Sequence, residues 1–523
     1  MKKLLNKLYL PFEKVEFFIL ILILTTGIDF VYSIYKTDYK FAIYLFFHGY
    51  VLSYILCLFT NALPRKLQAL VKIFSTTVFS LFFIADLFSV TIYHERFNEE
   101  FATIIMQTNM SEAYEFIKTY LSYTTIILFL IVIILISTLY LKAKKLRCST
   151  VLLPSCLFIV PIGIMLTIHN PQIYKEAFIG KIISTIQIPT NIIDLRDYLS
   201  NPQIILKKNK KPANIIMLFG ESFSKKHSSL YAYEKITNPL LSTLTKDSLL
   251  YVYKNIESPG LGTFASFKCF MSTYSPKYNN IDWYKCTTIP EIVKKAGYHT
   301  IWISNQSKIG LFDTAVGRYA DLCDKQHFTG DKFAGMRRHN QYDEMILNIL
   351  PTLYKDTTTH QFHFIQLMGS HFDFKDRYPN NFEKYLPDDY INYPSHQRNT
   401  LAAYDNSILY NDFVVYSIMN FYKNKEAILF YFSDHALDIF DSSDDYVGHA
   451  RGTDSLSVIA GKRIPFMIYA SPVFQKNYPN EMILIKKSIN NDFNTDNMIY
   501  TIMDIIGIES DNISPKKYSL FQM

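Results

Sequence analysis

Apolar positions along this chain follow two different rhythms. Up to about residue 170 they run on almost without interruption. Phe17 to Tyr35, Phe41 to Leu63, Leu70 to Tyr93, Thr124 to Leu141 and Thr150 to Ile168 are the five longest runs. Each approaches the roughly 20 residues that cross a bilayer as a helix. A helix buried in a soluble core would be shorter and would carry a polar face. The pattern therefore predicts five membrane helices, with a very apolar soluble bundle as the bland alternative. Basic residues mark the ends: Lys2, Lys3 and Lys7 before the first run, Arg65, Lys66 and Lys72 after the second, and Lys142, Lys144, Lys145 and Arg147 after the fourth. The other two loops, "YKTDYK" and "HERFNEEFATIIMQTNMSEAYEF", are less basic or mainly acidic. This bias sets the N-terminus inside, and five crossings then put everything after Ile168 outside. The first run is long and lacks a small-residue cleavage site, so it does not read as a cleaved signal peptide.

From Asn214 the rhythm changes. Short apolar runs ("NIIMLF", "LLYVYKNI", "HTIWISN", "HQFHFIQLM", "AILFYFSD", "RIPFMIYA") alternate with helical stretches such as "IPEIVKKAGY" and "NTLAAYDNSILYNDFVVYSIMNFYKN". That alternation predicts a three-layer α/β domain around a mostly parallel sheet. Residues 169–212 form a connector with Pro189 and Pro202, ending in the basic "KKNKKP". It reads either as an amphipathic segment on the outer leaflet or as a helix packed on the globular domain. The expected organisation is a five-helix membrane domain (1–168), a connector (169–212) and an exported catalytic domain (213–523).

Composition sharpens this. The chain has 523 residues, of which 49% are hydrophobic and 16% aromatic, and the excess lies in the first third. A net charge of +7 without a long basic stretch argues against nucleic acid as a partner. Of six cysteines, Cys57 and Cys156 fall in spans and Cys148 at the inner edge, leaving Cys269, Cys286 and Cys323 exported. Three is odd, so at most one disulfide forms there. No C-x-x-C occurs, which excludes a cysteine zinc knuckle.

Ligand sites in such sheets lie beyond the carboxyl ends of the strands. There the sequence delivers Glu221, His371, and Asp434 with His435, and a further histidine, His449, follows in "DDYVGHARG". A lone histidine at a strand end is more often a structural hydrogen bonder. Several such groups converging on one sheet end match a zinc or manganese type of site. The stretch "LFGESFS" nearly spells the serine elbow G-x-S-x-G, but Ser224 takes the place of the final glycine, so Ser222 reads as a turn and capping residue. The better nucleophile is Thr263 in "SPGLGTFASFKCFMS". Its hydroxyl is weak at its free pKa, which a bound metal would remedy.

The motifs G-E-S at 220–222, "SLYAY" at 229–233, "TNP" at 237–239, Thr263 with Cys269 six residues on, "MGSH" at 368–371, "AAYDNSILYNDF" at 402–413 and "SDH" at 433–435 together resemble the phosphoethanolamine transferases. These are membrane enzymes of the alkaline phosphatase and sulfatase superfamily, and they include enzymes that modify lipid A and confer polymyxin resistance. The resemblance implies an alkaline phosphatase/sulfatase-like exported domain, an inner-membrane, multi-pass protein with a cytoplasmic N-terminus, and a periplasmic catalytic domain. It implies transfer of phosphoethanolamine from phosphatidylethanolamine, through a phosphothreonine at Thr263, to a lipopolysaccharide acceptor (core sugar or lipid A) or another surface glycan. Glu221, Thr263, Asp434 and His435 would share one zinc ion, with a second metal in some members and manganese the lesser choice. His371, His449, Lys308 and Asn305 would contact substrate.

The chain also departs from the pattern. Ser224, Lys225 and Lys226 stand near the family's arginine in G-E-x-x-R, and Pro259 stands where Cys269 would find a disulfide partner. Gln366 replaces a histidine of the lipid A members, and "MGSHFDFKDRYP" looks closer to members that modify the lipopolysaccharide core or other glycans. The rival readings are a phosphoglycerol transferase of the lipoteichoic-acid-synthase type, a serine hydrolase using Ser222, and a non-enzymatic membrane protein.

Overall fold

A computed structural model describes residues 8–9, 11–12, 15–92, 95–97, 101, 123–143, 153–168, 177–178, 180–182, 194–207, 211–277, 281–308, 315–329, 342–354, 360–450, 454–510 and 518–522. The chain divides into two compact units, one within residues 1–189 and one that runs from 190 to the C-terminus.

The first unit is helical: α1 (Val15–Tyr35), α2 (Tyr39–Ala62), α3 (Arg65–Ile92), α4 (Tyr123–Ala143) and α5 (Leu153–Ile168). The first four contain stretches long and apolar enough to cross a membrane. The expected fifth span, α5, has 16 residues and carries Pro161 inside. At 1.5 Å per residue it rises only about 24 Å, short of the ~30 Å hydrocarbon core. Apolar side chains such as Ile127, Ile131 and Ile134 face outward from α4, as a lipid-facing helix requires.

Acidic residues inside two of these helices are balanced. Asp29 on α1 and Asp86 on α3 are both buried. The buried ammonium of Lys181 sits between them, 2.7 Å from Asp29 Oδ2 and bonded also to Asp86. Beside it the ring of Phe178 packs edge-on against Phe79 and Phe82. The connector is therefore shared between the units. Its first part docks on the membrane helices through an ion pair, where an unpaired charge would be costly. Its later part docks on the second unit: Leu195 joins that core, and Ser200 N–H donates to Glu291 at 2.8 Å.

The second unit is built on a seven-stranded sheet. Its strands are β1 (Asn214–Gly220), β2 (Leu250–Tyr253), β3 (His299–Ser304), β4 (Lys325–Phe328), β5 (Gln361–Gln366), β6 (Ala427–Ser433) and β7 (Phe466–Ala470). Their order is β2-β7-β6-β1-β5-β3-β4. The five strands from β6 to β4 run parallel, while β7 is antiparallel to both β6 and β2. The sheet is thus mixed, with the antiparallel pairings at one edge. Every residue of β1 is buried. Ile215, Met217 and Phe219 feed one core, Ile216 and Leu218 the other. This is why the strand reads as a continuous apolar run and not an alternating one.

On one face lies the long helix α9 (Ser395–Phe421). Its polar motif residues are buried because each fastens a loop. Tyr404 Oη donates to Ser222 O at 2.7 Å and accepts from Ser224 N–H at 2.8 Å. Asp405 takes hydrogen bonds from His227 and Tyr233, both at 2.7 Å, and from Tyr390. Asn411 accepts from Tyr431 on β6. Asp412 accepts from the N–H groups of Leu240 and Leu241 at 2.8 and 3.0 Å, at the start of α6 (Pro239–Lys246). The N-cap residue Asn238 makes no side-chain cap of its own, so Asp412 supplies it from another helix.

Burial pushes the Asp412 carboxyl up to about 7, against the pull of its two amide hydrogen bonds. An acid whose folded pKa is raised binds its proton more tightly when folded. Its contribution to stability therefore falls as pH rises from about 4 to about 7. Asp412→Asn should flatten that part of the stability–pH curve measured by thermal unfolding of the second unit. Asp412→Ala should cost about 1–2 kcal/mol through the lost cap.

Candidate metal centre

Parallel pairing sets the site. Phe219 lies opposite Phe432 and Gly220 opposite Ser433, so the residues that follow, Glu221 and Asp434, leave the sheet side by side. The backbone there is tight. A Cβ on Gly220 would meet Tyr431 Oη at 2.7 Å, and one on Gly369 (φ +55°) would meet Glu221 N and O at the same distance. Ser222 holds a left-handed conformation, φ 59°. Its Oγ donates to Glu221 Oε1 at 3.1 Å, and its N–H donates to Asp434 Oδ1 at 3.3 Å. It is a buried support of the carboxylates.

Glu221, Asp434 and His435 are all buried and present one ligand atom each within 4.8 Å of one another. His435 Nε2 stands 3.0 Å from Glu221 Oε1. Its Nδ1 donates to the Ala436 carbonyl at 3.0 Å, so Nε2 is the nitrogen turned to the carboxylates, the usual arrangement of a metal-ligating histidine. Among the described residues, the buried Asp434 Oδ2 has no hydrogen-bond partner. Two carboxylates, one imidazole and an orphaned oxygen suit a zinc-type cation.

Charge in this cluster is contested. Burial and the Glu221 charge push Asp434 up. Burial would raise Glu221 too, but its hydrogen bond to His435 and the charges of His435 and His371 bring it net below the usual carboxylate range. Burial lowers His435, and the two carboxylates more than reverse this, to about 9. Burial and the charges of His435 and His371 hold His449 down at about 3.

Thr263 begins the helix α7 (Thr263–Phe270), directly after Gly262. Its half-buried hydroxyl lies 3.2 and 3.3 Å from the two oxygens of Glu221. The His449 ring packs on that of His435 with centroids 4.8 Å apart, and its Cδ2 lies 3.7 Å from where a Gly262 Cβ would stand. His371 Nδ1 donates to Phe372 O. The structure therefore gathers Glu221, Thr263, Asp434, His435 and His449, with His371 near enough for its charge to act on Glu221 and His449. Lys308 pairs with Asp321 at 2.5 Å. Asn305 donates from Nδ2 to Asp343 at 2.7 Å and accepts from Thr329 at Oδ1, so its amide ties strand-end loops together. Gln306, between them, donates from Nε2 to Glu221 Oε2 at 3.4 Å. Sequence reasoning passed over this neighbour, although it too follows the end of β3. Cys269, Cys286 and Cys323 are free.

Comparison with known proteins identifies the family. Residues 213–508 match the sulfatase family model. The chain is 24% identical over 486 residues to the phosphoethanolamine transferase EptC of Escherichia coli (strain K12), covering 87% of this chain and 82% of that protein. Against the phosphoethanolamine transferase CptA of Salmonella typhimurium it is 23% identical over 473 residues, 83% of this chain and 79% of the relative. The crystal structure of the C-terminal periplasmic domain of E. coli EptC, a complex with zinc, superposes with TM-score 0.56 and 25% identity over 62% of this chain and 90% of that one. The integral membrane protein EptA of Neisseria meningitidis superposes with TM-score 0.64 and 17% identity over 95% of this chain and 96% of that one, a likeness of fold that spans both units.

Metal analysis of purified variants should separate the neighbours 221 and 222. Glu221→Ala is expected to lose bound zinc. Ser222→Gly, which suits the left-handed backbone but removes the hydroxyl on Glu221, should still bind zinc at saturating metal, with lower affinity. Equal metal loss in both would mean that the backbone support, and not the carboxylate, holds the ion.

Proposed function

The chain belongs to the sulfatase family, and on that footing we propose that it is a phosphoethanolamine transferase. It would take phosphoethanolamine from phosphatidylethanolamine onto Thr263 and pass it to a lipopolysaccharide acceptor, core sugar or lipid A, or another surface glycan. One observation carries the reading: the hydroxyl of Thr263, the first residue of α7, lies 3.2 Å from Glu221 of the carboxylate–imidazole cluster. The similarity to EptC over most of both chains supports the same chemistry.

Glu221, Asp434 and His435 would hold zinc. When bound, it lowers the pKa of a nearby hydroxyl and offsets charge on the transferring oxygens. Thr263 Oγ1 attacks the donor phosphorus, a bond forms between them, and the bond from phosphorus to the glycerol oxygen breaks. The threonine proton ends on the departing diacylglycerol. In the second step an acceptor oxygen attacks the phosphothreonine, the bond to Thr263 breaks, and the acceptor's proton returns to Thr263. First-turn amides at an α-helix N-terminus have no carbonyl partner inside the helix and favour an anion, so the start of α7 suits a phosphate. His449, held neutral, and His371 would hydrogen-bond phosphate oxygens or the leaving alcohol. Lys308 would offset phosphate charge, and Asn305, expected to contact substrate, would instead hold the loop after β3 in place.

The positive-inside bias supports a cytoplasmic N-terminus. A periplasmic catalytic domain then requires α5 to be a fifth crossing despite its length. A periplasm-dependent reporter joined after residue 212 should be active, whereas an inactive one would refute that crossing.

Thr263→Ala should lower transfer by on the order of 10³-fold or more while bound zinc stays at the wild-type level. The readout is mass spectrometry of lipid A and core oligosaccharide from cells with and without the protein. A glycerol phosphate in place of phosphoethanolamine on the product would favour the phosphoglycerol transferase instead.

A further inference from the structure

We propose that Gln306 is a positioning residue for the metal ligand Glu221, and that Gln366, backed by Ser304, holds the other end of its amide. The inference rests on Glu221 belonging to a metal site.

Strand register brings the parts together. Ser304 on β3 lies opposite Gln366 on β5, and Gln366 lies opposite Phe219 on β1, two residues before Glu221. Ser304 and Gln366 are buried. Five hydrogen bonds then run in one direction. Gln306 N–H donates to Ser304 Oγ at 3.0 Å. Ser304 Oγ donates its single proton to Gln366 Oε1 at 3.0 Å. Gln366 Nε2 donates to Gln306 Oε1 at 2.9 Å. Gln306 Nε2 donates to Leu367 O at 3.1 Å and to Glu221 Oε2 at 3.4 Å.

The direction is set by one group that has no choice. A backbone carbonyl can only accept, so the Gln306 nitrogen must face Leu367 and therefore Glu221, which leaves Gln306 Oε1 facing Gln366. An amide oxygen can only accept, so Gln366 Nε2 meets it and Gln366 Oε1 takes the proton of Ser304. Meanwhile Ser222 Oγ donates to Glu221 Oε1. With donors on both oxygens the carboxylate plane is held against rotation. Such partners of a metal ligand are worth about 10–100-fold in metal affinity. Gln366, the residue that replaces a histidine of the lipid A members, would serve the site here by steering a neighbour.

The test uses the full-length protein in detergent. It measures the zinc dissociation constant by competition with a chelator, and kcat and KM for the donor lipid. Gln306→Met keeps the side-chain length and removes both amide ends. It should weaken zinc about 10-fold or more and lower kcat at limiting zinc, with KM for the donor unchanged. Gln366→Glu keeps shape but presents an acceptor to Gln306, so it should weaken zinc in the same way although Gln366 does not touch Glu221. The double variant should be no worse than Gln306→Met alone, because both act through one chain. If Gln306 only fills space, Gln366→Glu leaves zinc affinity at the wild-type value, which overturns the proposal. A zinc affinity of Gln306→Met within twofold of wild type also overturns it. Absence of zinc from the wild type would instead overturn the metal site itself, and the relay with it.

Discussion

Two carboxylates forced side by side at adjacent strand ends are the constraint around which the catalytic unit is arranged. The parallel register of β1 with β6 leaves no other exit for Glu221 and Asp434. Buried like charges are costly, and the surroundings answer that cost in several ways. His435 stands against Glu221. Backbone N–H groups of Ser222 and His435 reach Asp434. One oxygen of Asp434 is left over. A cation would complete this set, and the Thr263 hydroxyl stands beside it, 3.2 and 3.3 Å from the two oxygens of Glu221.

Holding such a site demands loops that do not drift. The strand-end segments are fastened from behind by α9, whose Tyr404, Asp405, Ser407 and Asp412 are buried polar residues on one continuous scaffold. Ser407 Oγ reaches Ser370, next to His371, and Tyr404 grips both Ser222 and Ser224. Buried hydrogen-bonding groups left unpaired would cost about 1–3 kcal/mol each. Each fastening therefore penalises any loop that moves away. The tightly spaced Gly220 and Gly369 belong to the same bargain, since either Cβ would push Glu221 or its neighbours aside.

The membrane unit solves a different problem of charge. Asp29 and Asp86 lie within long apolar helices and accept one shared ammonium from Lys181. The connector therefore enters the helical unit, where the sequence left open a segment on the outer leaflet or a helix packed on the globular domain, and its later half joins the core of the second unit. A polar cluster of that kind gives the connector a defined seat, which apolar contact in lipid provides poorly.

Much of this was legible in the chain itself. Long apolar runs reveal membrane helices because the hydrocarbon core favours them, and the runs from "NIIMLF" to "RIPFMIYA" became six of the seven strands because strands covered on both faces must be largely apolar. Glu221, Thr263, Asp434 and His435 could be picked out because chemistry gathers at strand ends. The rest depended on distance through space. Sequence could not say that β7 turns against its neighbours, since strand direction follows from connections. Nor could it reveal that Asn305 ties loops together while Gln306 faces the carboxylate. Adjacent residues leave a strand end in opposite directions, and only the paired register of β1, β5 and β3 decides which of them meets Glu221.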